Sequence, residues 1–183
     1  AKSEIYRMME NLARQGKLEE GRRHLQETRT ADNADRIPLL LAESQLLRDA
    51  GKIREAFELL DTRLAAQPEQ PELLYESALL AEKLGRQDVL ETNLRKLIRI
   101  KPDHAHAYNA LGYSLAERNQ RLAEAEQLIA KALQLSPDDP FITDSMGWVL
   151  YRKGDTAGAL TYLQRAYSIR PDPEIAAHLG EVL

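Results

Sequence analysis

The chain has no cysteine and a single tryptophan among 183 residues. Without thiols there is no disulfide framework and no thiolate metal site, though this chooses no compartment. The longest apolar run, residues 146–151, is far short of the roughly 20 residues that span a bilayer. Neither charge sign dominates: 25 Lys and Arg stand against 29 Asp and Glu, a formal net charge of −4. A general nucleic-acid binder usually carries a basic stripe that displaces counterions, and none is present. Also missing are a GxxxxGK[ST] phosphate loop, a GxSxG elbow and an HExxH zinc helix, so no catalytic motif points to an enzyme and no cofactor is expected. Aromatic residues make up only 5% of the chain (seven Tyr, two Phe, one Trp), so the position of each ring carries information. The chain opens at Ala1 with no initiator Met and no visible signal peptide, as expected of a processed chain or an excised fragment.

What is abundant is Ala, Leu, Glu, Arg and Gln, all good helix formers. Their arrangement repeats. Pro68, Pro102, Pro137 and Pro171 lie 34, 35 and 34 residues apart. Gly16, Gly51, Gly85 and Gly154 keep the same period, with Asn119 in the remaining slot, and Ser44, Ala78, Gly112, Gly147 and Gly180 mark a third position. Within each period two blocks show helical spacing: Tyr108, Leu111, Gly112 and Leu115 form one face, and Leu122, Ala125, Ile129 and Ala132 another. Asp139–Pro140 and Asp172–Pro173 pair an N-cap with a proline at the first helical position. The units are 2–36, 37–70, 71–104, 105–139 and 140–172, with a partial unit at 173–183. Each is a helical hairpin, and the pattern predicts an all-α solenoid in one array over residues 1–183. Gly112, Ala125, Ala132, Gly147, Ala159, Ala166 and Gly180 are expected to be the small residues at which helices approach closely.

The units "AYNALGYSLAERNQRLAEAEQLIAKALQLSP" and "DSMGWVLYRKGDTAGALTYLQRAYSIRP" resemble the tetratricopeptide (TPR) repeat, the first with one extra residue in its turn. The first three units are degenerate; Gly21 and Leu90 stand where Ala is usual. The resemblance implies a right-handed superhelix and a non-catalytic scaffold or adaptor that binds a peptide or protein segment on its concave face. More narrowly, "LLYESALLAEKLGRQDVLETNLRKLI", "HAYNALGYSLAERN" and "RPDPEIAAHLGEVL" resemble the long exported TPR proteins of proteobacteria, often lipoproteins. That likeness implies a periplasmic, outer-membrane-associated full-length protein, with a cell-wall enzyme or a processing protease as partner. A cytoplasmic location is the alternative.

Carried onto this chain, the family's concave positions include Tyr6, Glu10, Ala13 and Arg14 in the first unit and Asp49 in the second. They also include Tyr75, Leu79, His106, Asn109, Tyr113, Glu117, Phe141, Asp144, Trp148, Tyr151, Arg152, Glu174 and Glu181. Six of the ten aromatics fall on such positions, four of them in the fourth and fifth units. Rigid rings on an open groove are good binding anchors. Tyr75, Leu79, His106, Asn109, Tyr113, Phe141, Asp144, Trp148, Tyr151 and Arg152 are therefore the candidate binding residues. Two readings of Trp148 stay open, a ring exposed for a ligand and a ring packed between helices. Tyr108, Tyr162 and Tyr167 are expected in the core. The acid excess on the groove favours an apolar or basic peptide. Asn109 alone matches the carboxylate clamp of some TPR co-chaperones, without its basic partners, and that clamp is rejected. His104 and His106 are two residues apart, the wrong spacing for a metal on one helical face, and no metal site is expected. Asp138 and Asp139 read as capping residues rather than an acid/base pair. The alternative function is a structural module that meets partners, or itself, through the array ends or convex face. An RNA-binding reading is disfavoured by the acidic balance.

Overall fold

The computed structural model describes the backbone of residues 2–31 and 36–183 and the side chains of residues 7–27 and 37–183. Tyr6 lies outside the described side chains. The described residues form an all-α helical repeat of eleven helices. These are α1 (Lys2–Arg14), α2 (Leu18–Ala31), α3 (Arg36–Asp49), α4 (Ile53–Ala66), α5 (Pro71–Lys83), α6 (Gln87–Ile100), α7 (Ala105–Glu117), α8 (Leu122–Leu135), α9 (Pro140–Arg152), α10 (Thr156–Ile169) and α11 (Pro173–Val182).

Local chemistry sets where each helix starts and stops. Asp139 accepts hydrogen bonds from the backbone N–H of Phe141 (2.8 Å) and Ile142 (3.1 Å), and Asp172 accepts one from Glu174 (2.9 Å). Pro140 and Pro173 follow these caps, where a missing N–H leaves no bond unmade. His104 caps α7, its Nδ1 accepting from the N–H of Ala107 at 3.0 Å. The hairpin turns need a left-handed residue, and Gly154 (φ 92°) supplies one between α9 and α10. Asn119 takes the same role after α7 with φ 53°. The extra residue of that turn is absorbed at Arg121, which also has positive φ (43°) and immediately precedes α8.

The chain divides into two compact units, Ala1–Asn93 and Leu94–Leu183, with the division inside α6. In the first unit, Met9, Leu25, Leu39 and Leu46 form a buried cluster. The carboxylate of Glu43 is also fully buried, where it accepts from Arg22 Nε (3.3 Å) and Gln26 Nε2 (2.9 Å). In the second unit α7 packs on α8, α9 on α10, and α9 also on α7 and α11. Its core joins Tyr108, Leu115, Ala125, Ile129, Ala132, Ile142, Met146, Trp148 and Val149. Tyr108 is buried and Tyr162 packs partly against this core, as expected. Tyr167 is 43% exposed and is not a core residue, because its side of α10 faces away from the packed helices.

Small residues decide how closely the paired helices approach. Ala125, Ala132, Ala159 and Ala166 are fully buried. A Cβ on Gly112 would stand 2.7 Å from Ile129 Cγ1 and 2.9 Å from the carbonyl oxygen of Ala125. On Gly147 it would stand 2.7 Å from Leu163 Cγ and 3.1 Å from the carbonyl oxygen of Ala159. Gly180 departs from the expected pattern: no described atom lies within 4 Å of its would-be Cβ.

Three alanine substitutions separate packing from helix propensity. Gly112→Ala is expected to lower stability by about 1–3 kcal/mol, because overpacking against backbone outweighs the gain in propensity. Gly21→Ala meets only ordinary contacts of 3.5–3.8 Å at Met9 and is expected to stabilise, by up to about 1 kcal/mol. Gly180→Ala, in open space, has the same sign with a smaller gain near the helix end. Urea midpoints of the three variants against the parent check the order; a Gly112→Ala midpoint at or above the parent's contradicts it.

Candidate functional site

Three first helices of the second unit each present a polar or aromatic stripe. Asn109, Tyr113 and Glu117 lie at i, i+4 and i+8 on α7, and Asp144, Trp148 and Arg152 have the same spacing on α9. α11 adds Glu174 and His178, four residues apart. Contacts of α9 with α7 and α11 bring these stripes together.

His178 is the hub. Its Nδ1 lies 2.9 Å from both carboxylate oxygens of Asp144, and its Nε2 lies 3.3 Å from the hydroxyl of Tyr113. An ionised carboxylate only accepts, so Nδ1 carries a proton and donates to Asp144. The imidazole also stacks on Trp148, with ring centroids 4.3 Å apart and planes 23° from parallel. Trp148 Nε1–H donates to Glu117 Oε2 at 2.8 Å. Tyr151 stacks against the same indole at 5.4 Å, and the Arg152 guanidinium lies 4.9 Å from its centroid. The Arg152 Nη2 also donates to the backbone carbonyl of Glu117 at 3.3 Å.

The charges of this cluster act in one direction. Burial pushes the His178 imidazole down, but the hydrogen bond and charge of Asp144, with Glu174 and Glu117 nearby, outweigh it and raise its pKa. Burial, reinforced by Glu117, Glu174 and Asp144, pushes the Tyr113 hydroxyl far above the usual phenol range. The order hydroxyl–imidazole–carboxylate has the outline of a proton relay. In such a row the hydroxyl is activated by the imidazole acting as base, and the raised imidazole pKa leaves less of that base free.

The structure thus brings together Tyr113, Asp144, Trp148, Tyr151 and Arg152 from the sequence candidates. Of the two readings of Trp148 the packed one holds, at 3% exposure, and Asp144, expected on the open groove, is only 4% exposed. His178 and Arg152 cover the indole, and the same imidazole closes over the carboxylate. Asn109 lies on the α7 stripe, with a buried Oδ1 that has no hydrogen-bond partner, and Arg152 has a buried Nε in the same condition. Phe141 stands apart, 38% exposed beneath the Arg170 guanidinium at 5.5 Å. His106 is exposed, 3.9 Å from the Asp139 carboxylate. Tyr75 and Leu79 belong to the first unit, both half-buried on α5. In that unit a cleft is lined by Glu10, Ala13, Arg14, Leu46, Asp49 and Ala50, of which the family resemblance assigns Glu10, Ala13, Arg14 and Asp49 to concave positions. His178 escaped the sequence reading because it occupies the apolar stripe of α11, between Ile175 and Val182. A polar residue at an apolar position was the available signal.

His178 sets a pH dependence. A raised folded-state pKa means the stabilisation is fully present below about 6.5 and is lost as pH rises through the folded pKa. His104 works in the opposite sense and below this window, its imidazole pushed down mainly by burial. The urea midpoint of the parent is therefore expected to fall between pH 6 and 9, and that of His178→Gln to stay level over the range. Parallel profiles for the two proteins would rule out the His178–Asp144 pair as the source.

Comparison with known proteins agrees with the helical-repeat fold. Residues 41–89 and 90–140 match one family model of the tetratricopeptide repeat, and residues 145–173 match another. A TPR repeat-containing protein of Pseudomonas aeruginosa, PA4667, is 42% identical over 175 residues, 96% of this chain and 30% of the relative. The chain thus spans less than a third of that relative's length. A solved tetratricopeptide repeat protein from Parabacteroides merdae superposes with a TM-score of 0.78 at 17% identity, over 99% of this chain and 72% of that one. YrrB, described as a TPR protein with an unusual peptide-binding site, superposes with a TM-score of 0.69 at 20% identity, over 96% and 90% of the two chains.

Proposed function

Because the chain belongs to the tetratricopeptide repeat family, whose members generally mediate protein–protein interaction, we propose that it is a non-catalytic scaffold holding a peptide or protein segment on the α7–α9–α11 face. One observation carries this reading. A helical repeat needs only apolar and small residues to stack, yet this face gathers Tyr113, Glu117, Asp144, Trp148, Arg152 and His178 into a linked polar and aromatic network. Two buried polar atoms beside it, on Asn109 and Arg152, have no partner. Unsatisfied buried polar atoms cost stability, and a bound segment's backbone N–H and C=O groups would satisfy both. Tyr113, Tyr151 and Glu117 supply the accessible rim.

In this reading the repeats over residues 1–183 are one array, and the family resemblance assigns Tyr75 and Leu79, in the first unit, to concave positions of their own repeat. The resemblance of the repeat strings supports a place in a cell-envelope complex: periplasmic and outer-membrane-associated in a longer protein, with a cell-wall enzyme or processing protease as client. YrrB supports peptide binding by a similar fold. Assembly through the array ends or convex face is a second reading, and the open space beside Gly180 on α11 is the observation that favours it.

Affinity capture from envelope and cytosolic extracts tests both. Trp148 is unsuited to substitution because it is core, so the baits are the parent, Glu117→Lys with Tyr151→Ala, and Leu183→Asp. The rim double variant is expected to lose its client by tenfold or more at unchanged helicity, and Leu183→Asp to keep it. Equal retention by the rim variant, with loss or loss of self-association in Leu183→Asp, would shift the function to the end surface.

A further inference from the structure

The chain places one of its own guanidinium groups in the candidate site, and the fit is loose. Arg152 lies over the Trp148 ring, but its closest polar contact is the 3.3 Å bond to the Glu117 carbonyl. The Glu117 carboxylate is 3.9 Å away, beyond hydrogen-bond reach, and Nε is buried without an acceptor. Glu117 Oε2 accepts from the indole N–H and the same carboxylate is bonded to the Tyr113 hydroxyl, and two carboxylate oxygens still have capacity for a further donor. An aromatic face, a carboxylate oxygen and a backbone carbonyl together match a planar fork of N–H donors better than a point charge. The local field favours a cation as well. Glu174 and Glu181 are exposed on α11, Asp144 lies beneath, and only Arg152 and the His178 imidazole oppose them on this face.

We propose that the Trp148–Glu117 subsite recognises an arginine side chain of the bound segment, and that Arg152 is its stand-in, displaced on binding. This rests on the scaffold reading above and narrows the client to one bearing an exposed arginine. The stand-in also accounts for the burial of Trp148. The ring is stacked by His178, which Asp144 fixes, and by Tyr151, and over it lies a side chain that is itself 31% exposed and poorly bonded.

The single tryptophan gives a direct readout, since one indole N–H signal reports the subsite in a nitrogen–proton correlation spectrum. The probes are acetyl-Gly-Arg-Gly-amide and its Lys and Glu analogues, titrated at constant ionic strength and pH 7. The arginine peptide is expected to shift the indole signal saturably, and to bind Arg152→Gln at least threefold more tightly than the parent, because the internal competitor is gone. The lysine peptide should bind more weakly and the glutamate peptide not measurably. Glu117→Gln, which keeps an acceptor for the indole, should lose the arginine response. Acrylamide quenching of Trp148 should rise in Arg152→Gln. If that variant is less stable, Arg152→Met keeps the covering stem and carries the same expectation for affinity. Arginine binding unchanged or weakened in both variants, or tighter binding of the glutamate peptide, overturns the assignment. A client still captured through Tyr151 and Glu117 but not displaced by the arginine peptide would leave the scaffold standing and remove only the arginine subsite.

Discussion

The close approach of paired helices is the constraint on which the rest depends. At Gly112 and Gly147 the facing helix lies so near that a Cβ would stand within about 3 Å of a carbonyl oxygen and a branched side chain. With no side chain at the crossing, α7 rests on α8 and α9 on α10 at backbone distance, and a slim hairpin results. Slim hairpins let consecutive first helices stand side by side, as α7, α9 and α11 do. A bulkier crossing would spread the hairpins and pull the Tyr113, Asp144 and His178 side chains out of hydrogen-bond range.

That spacing produces a mixed face from helices that each look ordinary. An i, i+4, i+8 stripe on α7 or α9 alone is a solvated edge of a helix. Packed together, their polar groups satisfy one another: the indole N–H finds Glu117, the imidazole finds Asp144, and the phenol finds the imidazole. In a low-dielectric setting such links strengthen and become directional. The network ties α7, α9 and α11 into one surface, with buried, unsatisfied polar atoms on Asn109 and Arg152.

The first unit uses polar groups differently. Glu43 is wholly buried, and Arg22 and Gln26 reach it from α2. Its pairing holds hairpins together rather than shaping an open face. Both units share the repeat, and the degenerate early sequence, with Gly21 in place of Ala, has kept the helices while relaxing the crossing to ordinary contact distances.

Most of the fold was legible in the sequence because its causes are local. Asp–Pro pairs start helices, Gly154 and Asn119 end them, and the 34–35-residue beat follows from one hairpin repeating. The small residues at 112, 125, 147 and 159 marked the crossings, since only volume is at stake there. The candidate site was half legible. Helical spacing placed Tyr113, Asp144, Trp148, Tyr151 and Arg152 on facing stripes, but it gave no sign of what would cover them. Whether Trp148 was open or packed turned on His178, 30 positions along the chain, and on the path of the Arg152 side chain. Periodicity assigns a residue to a face of its own helix; burial depends on which other helix arrives at that face, and that only the tertiary packing decided.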